Sequence, residues 1–123
     1  MDKPCRVMVV VDDPMIVAAL SDLLEGQGLR VITAASGGEA IRQLVATPCD
    51  AVVTNFNGAG SDGADLVAEI RRRHGPRLLV VVLASEDETA RHLFARHRNL
   101  QILRKPAEIT VICATLARVL PAC

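Results

Sequence analysis

Residues 7–11 read Val-Met-Val-Val-Val, apolar at every position rather than at every second one. A strand with one face in water alternates apolar and polar side chains, whereas one covered on both faces does not. Leu78–Ala84 repeats this continuous pattern and is the most apolar run of the chain, which predicts the central place in the sheet for it. Leu29–Ala34, Ala51–Thr54 and Leu100–Leu103 add three shorter strand candidates.

Helix-period segments stand between these runs. Asp13-Pro14 supplies an N-cap and a first-turn proline, followed by the stripe Ile16, Leu20, Leu23 and Leu24 and closed by Gly26 and Gly28. Ser36-x-x-Glu39 is a capping box opening a helix to about Ala46, with Pro48 beyond it. Leu66, Val67 and Ile70 mark a third helix, ending in Arg71-Arg72-Arg73-His74-Gly75-Pro76. Ser85-x-x-Glu88 opens a fourth, to about Arg98. Glu108–Leu120 is the fifth, with Ile109, Ile112, Cys113, Leu116 and Leu120 inward.

Five strand–helix units with short connections predict an α/β domain, a doubly wound parallel sheet with helices on both faces and right-handed crossovers. The 123 residues are expected to form one such domain, 1–123. In sheets of this kind, sites lie in the crevice beyond the C-terminal strand ends. That directs attention to Asp12 and Asp13, the loop from Asn55, Ala84-Ser85, and Arg104-Lys105-Pro106.

Composition narrows the function classes. Fourteen basic residues balance fourteen acidic ones, and there are two Phe with no Tyr or Trp, so neither bulk charge nor stacking rings argue for direct nucleic-acid binding. Half the residues are hydrophobic, yet no apolar run approaches the roughly 20 residues of a membrane span. Met1–Pro4 leads straight into Val7 without a signal-peptide layout, so a cytoplasmic location is expected. No Gly-rich phosphate loop follows Val11, which argues against a bound nucleotide cofactor.

The segments at the C-terminal strand ends resemble a response-regulator receiver domain of two-component signalling, over Val7 to Leu120. The resemblance rests on Val-Val-Asp12-Asp13, on Asp50-x-x-x-x-Asn55 with Gly60-x-Asp62-Gly63, and on Lys105-Pro106. It implies a flavodoxin-like sheet of order 2-1-3-4-5 with five helices. It also implies that Asp12 and Asp13 help to hold Mg²⁺, and that the residue ending the third strand accepts a phosphoryl group. A hydroxyl after the fourth strand and the Lys of Lys-Pro would contact that group, and an aromatic residue in the fifth strand would change rotamer.

Asp12, Asp13 and Lys105 match this pattern, but the acceptor position is Asn55, the hydroxyl position Ala84 and the aromatic position Ile102. An acyl phosphate forms by attack of a carboxylate oxygen on phosphorus, which a neutral amide does not provide. Ala84 has no hydroxyl, and Ser85 is one place late on an alternating strand. The expected function is therefore that of a degenerate pseudo-receiver, an interaction module independent of phosphorylation and without enzymatic activity. The competing readings are a conventional phosphoaccepting switch, or the receiver part of a larger transcription regulator. Mg²⁺ binding is expected to be weak or absent, since Mg²⁺ favours carboxylate oxygens assisted by phosphate and water. Asp13 has a plainer alternative role as the helix cap before Pro14.

Expected partners are a histidine kinase, a phosphotransfer protein or another regulator. Homodimerisation would use the face of the fourth helix, fifth strand and fifth helix, because the fifth helix is nearly apolar all round. The basic clusters Arg71–His74 and Arg91–Arg98 read as solvated helix ends complementing the helix dipole. Cys5, Cys49, Cys113 and Cys123 lack metal-site spacing and are expected to be free thiols. In the implied strand order, Cys5 and Cys49 precede neighbouring strands, the one place where a bridge is conceivable.

Overall fold

A computed structural model describes residues 5–11, 13–55, 63–84, 99–104 and 109–119. Its strands are β1 (Arg6–Val10), β2 (Arg30–Thr33), β3 (Ala51–Asn55), β4 (Leu79–Ala84) and β5 (Leu100–Arg104). They form a single parallel sheet of order β2-β1-β3-β4-β5. Helices α1 (Pro14–Gly26), α2 (Gly37–Ala46) and α3 (Gly63–His74) follow the first three strands, and a last helix spans Ile109–Val119. The predicted helix over 85–98 lies outside the described residues. The doubly wound, flavodoxin-like architecture and its strand order are as expected.

The non-alternating apolar runs have a direct counterpart in two cores. Val7, Val9, Val53, Val81 and Leu83 face α1 and the last helix, packing with Leu20, Leu24, Ile112 and Leu116. Met8, Val10, Val52, Val80 and Val82 face the other way, onto Ala40, Leu44, Val67 and Ile70 of α2 and α3. Each fully buried Leu or Ile adds roughly 1.5–3 kcal/mol of burial free energy, so both layers contribute. The central place expected for β4 belongs instead to β3, which is buried along its whole length, while β4 lies beside it, flanked by β3 and β5. An apolar run marks a strand covered on both faces but not its position in the order.

The caps form as the sequence predicts. Asp13 Oδ1 accepts from Met15 N at 2.9 Å with Pro14 in the first turn. Ser36 Oγ accepts from Glu39 N at 3.2 Å, and Glu39 Oε2 reaches back to Ala35 N at 3.1 Å. Gly28, with φ of +90°, occupies the left-handed region that turns the chain into β2. Leu23 departs from its predicted inward role and is 41% exposed. The buried stripe of α1 runs at spacings of four through Ile16, Leu20 and Leu24, which leaves Leu23 on its flank.

Cysteine pairing also departs from expectation. Cys5 is disulfide-bonded rather than free, whereas Cys49 and Cys113 are free thiols. A Cys5–Cys49 bridge is thereby excluded. No helix among the described residues is long and apolar enough to cross a membrane.

Candidate functional site

The C-terminal rim of the sheet is built by strand register. Val10 of β1 lies level with Thr54, Asn55 lies level with Leu83, and Ala84 lies level with Arg104. Asn55 is the last residue of β3 rather than the first of the following loop. It is 8% exposed, so its amide stands where an acceptor carboxylate would have to be largely desolvated. Thr54 Oγ1 donates to the Asn55 carbonyl at 3.1 Å, fixing the backbone at this strand end.

Asp13 reaches the same rim from β1 but is exposed and caps α1 through Oδ1. Asp12 and Lys105 lie outside the described residues, as does the loop after Asn55. Asp13, with one oxygen committed to Met15 N, and the neutral amide of Asn55 fit a carboxylate-based Mg²⁺ site poorly. Among the described residues no group of three His, Cys, Asp or Glu side chains could hold a metal ion. Ile102 lies level with Val82 in β5 and packs, half-buried, against the Met8–Val82 core. An aliphatic side chain in that place fills space and has no ring to exchange between a buried and an exposed rotamer.

Comparison with known proteins bears on this arrangement. The family model of the response regulator receiver domain matches residues 7–117. The chain belongs to this family. The receiver domain is 30% identical over 107 residues to the transcriptional regulatory protein GlrR of Escherichia coli, covering 86% of this chain and 24% of that protein. It is 29% identical over 113 residues to the DNA-binding transcriptional regulator NtrC of Escherichia coli, covering 91% and 24%. It thus spans about a quarter of the length of these curated relatives. The chemotaxis response regulator CheY4 of Vibrio cholerae superposes with a TM-score of 0.84 at 25% identity, covering 96% of this chain and 100% of that one.

At the opposite, N-terminal rim the receiver domain carries a polar cluster that sequence reasoning missed. Arg71 was expected to be a solvated helix-end cation. Its Nη1 instead donates to the carbonyls of Gly75 at 3.0 Å and Leu78 at 2.6 Å, and its Nη2 donates to that of Asn99 at 3.0 Å. Burial lowers the Arg71 pKa from its ordinary value, the expected sign for a desolvated cation. Arg72 and Arg73 do behave as surface cations, both paired with Glu69. Asn99 adopts a left-handed φ of 57° and its Nδ2 donates to the Arg77 carbonyl at 3.0 Å. The available signal was the Gly75-Pro76 break just beyond Arg71, which turns the chain back beneath the last helical turn.

On the same rim Asp50 Oδ2 accepts from Arg6 N at 2.8 Å, and Arg6 Nη1 donates to the Pro48 carbonyl at 3.0 Å. Burial pushes the neighbouring Cys49 thiol up to about 11, with Arg6 pulling it down and Asp50 pushing it further up. Cys49 is therefore a protonated, unreactive thiol at neutral pH.

Proposed function

We propose that this receiver domain is a phosphorylation-independent protein-interaction module. The observation that carries the reading is Asn55, an amide held at the end of β3 with 8% exposure. In the receiver pattern that position takes the phosphoryl group, and an amide has no carboxylate oxygen with which to attack phosphorus. Ala84 without a hydroxyl and Ile102 without a ring point the same way. The scaffold retains its sheet, caps and both cores, which suits a surface read by docking.

The partners that fit are a histidine kinase, a phosphotransfer protein or another regulator. A second copy would use the face that includes β5 and the last helix, where Val111, Ala114 and Ala117 are exposed. A second reading, the receiver part of a larger transcription regulator, is suggested by the 24% of each curated relative that the matched region spans. It differs in where the output lies and leaves the chemistry of Asn55 unchanged.

Incubation with a small phosphodonor and Mg²⁺, followed by intact-mass measurement, tests the reading. The expected result is no added phosphoryl group, and a stable gain of one would overturn it. A pull-down from the native host with the wild type and with Asn55→Asp should recover the same partners in equal amount. Partner recovery that depended on phosphorylation would defeat the proposal.

A further inference from the structure

Cys5 is disulfide-bonded in a chain of four cysteines, of which Cys49 and Cys113 are free thiols. Within the chain this leaves Cys123 as its partner. The described fold points to the same pairing on separate grounds. Cys5 immediately precedes β1, so it stands at the N-terminal edge of the sheet, where its carbonyl accepts from Arg30 N at 2.8 Å. Side chains alternate along a strand, and Val7 and Val9 pack in the core shared with α1 and the last helix. Cys5, two places before Val7, belongs to that face and is 2% exposed.

The last helix covers the same face through Ile112, Cys113 and Leu116. It follows β5 and packs back onto the sheet, so it runs from the C-terminal rim towards the N-terminal one. Val119 thus ends the helix at the edge where Cys5 stands, and Cys123 comes four positions later. Four residues reach up to roughly 14 Å when extended. No other thiol competes for the bond. Cys113 is 3% exposed and the Cys49 thiol is pushed up to about 11 by burial, so neither supplies a thiolate for exchange at neutral pH.

We propose that Cys5 is bonded to Cys123 and that this bridge is a redox-operated clamp holding the end of the last helix against the N-terminal edge of the sheet. In a reducing compartment such a bond persists only while an oxidant maintains it, and intracellular disulfides are usually transient or redox-sensing. A dithiol reductant opens the clamp. Cys5 is too buried for direct attack, so the reductant's thiolate attacks the Cys123 sulfur, forming a mixed disulfide and releasing Cys5, which takes a proton. The reductant's second thiol then displaces Cys123, and the reductant leaves as its own disulfide. Two electrons and two protons pass to the protein, and oxidised glutathione reverses the change. The clamp is independent of the chemistry at Asn55, so either reading can fail alone.

The test begins with the full chain, its free thiols blocked by iodoacetamide and digested without reductant. A peptide pair joining Cys5 to Cys123 is expected by mass. Excess dithiothreitol should lower Tm by roughly 10 °C, the effect of opening so long a ring, while the far-UV spectrum at room temperature stays that of a folded domain. Oxidised glutathione should restore the higher Tm. Amides of Leu116 to Arg118 should exchange with solvent deuterium roughly tenfold faster after reduction, and those of Ala40 to Leu44 should change less. Cys123→Ser should show the lower Tm from the start and ignore dithiothreitol, whereas Cys49→Ser should respond as the wild type does. Alkylation of all four cysteines, a disulfide-linked dimer, or a Tm unmoved by dithiothreitol would overturn the proposal. So would an unfolded reduced protein, because the bridge would then be a fixed staple rather than a switch.

Discussion

Arg71 Nη2 donates to the backbone carbonyl of Asn99 at 3.0 Å, tying the last turn of α3 to the entry of β5. The same carbonyl accepts from Val80 N at 3.1 Å, so one oxygen joins α3, β4 and β5. Hydrogen bonds to charged groups contribute about 1.5–3 kcal/mol each, with partial exposure reducing the sum. Arg71→Ala is expected to lower unfolding stability by about 2–4 kcal/mol in a urea titration. Arg71→Lys, which lacks the fork, should recover less than half of that loss.

Asn99 holds φ at 57° while its amide bonds to the Arg77 carbonyl. Two effects compete on substitution. Asn99→Gly relieves the left-handed backbone but loses the side-chain bond, whereas Asn99→Ala loses the bond and adds steric cost. The alanine variant should be less stable than the glycine variant by about 1 kcal/mol, measured by chemical denaturation.

Burial raises the Cys49 pKa to about 11, which sets a pH window. A thiol with a folded value above its unfolded one leaves stability intact below pH 9 and removes it as the pH climbs towards 11. Alkylation of Cys49 by iodoacetamide, followed by peptide mass mapping, should be roughly a hundredfold slower at pH 8 than in the unfolded chain. Its rate should go on rising with pH beyond 9, where the unfolded thiol levels off.

Asn55→Asp places a carboxylate at a position 8% exposed. Desolvation raises such a group's pKa, so the variant is penalised where the carboxylate is charged. We expect a loss of about 1–3 kcal/mol relative to wild type at pH 7. The difference should shrink as the pH falls towards 4, since a raised folded pKa costs stability only above the unfolded value. Parallel denaturation curves at the two pH values check the sign.

Asp13→Ala removes the α1 cap and should cost about 1 kcal/mol in thermal or urea unfolding, while Asp13→Asn, itself a good cap, should be nearly neutral. A large loss in Asp13→Asn would mean that the charge does more than cap Met15 N.

The fold was legible because its signals are local and repeated. Continuous valine runs announced strands covered on both sides, and Asp13-Pro14 and Ser36-x-x-Glu39 announced helix starts. The reading of Asn55, Ala84 and Ile102 as departures rests on the one chemical group that the resemblance implies at each position, and it belongs to the proposed function. The N-terminal rim was not legible, since its meaning depends on distance in space. Arg71 looks like Arg72 and Arg73 in sequence, yet it alone turns inward to carbonyls seven and 28 residues away. Leu23 was misplaced for a related reason: helical spacing identifies an apolar stripe but does not tell which neighbour covers its flank. The Cys5 disulfide is equally non-local, as spacing along the chain does not dictate pairing.

Strands that are apolar on every residue carry no alternation to say which residue should face which neighbour. Sliding β1 or β4 by two places would still bury aliphatic carbon against aliphatic carbon. The choice of alignment then falls to the polar bonds at the strand entries: Arg6 with Asp50 for β1 against β3, and Arg71 and Val80 with Asn99 for β4 against β5. These bonds act as notches on an otherwise uniform ruler. Sequence drift within the valine runs should therefore be tolerated more readily than a change at these few polar positions.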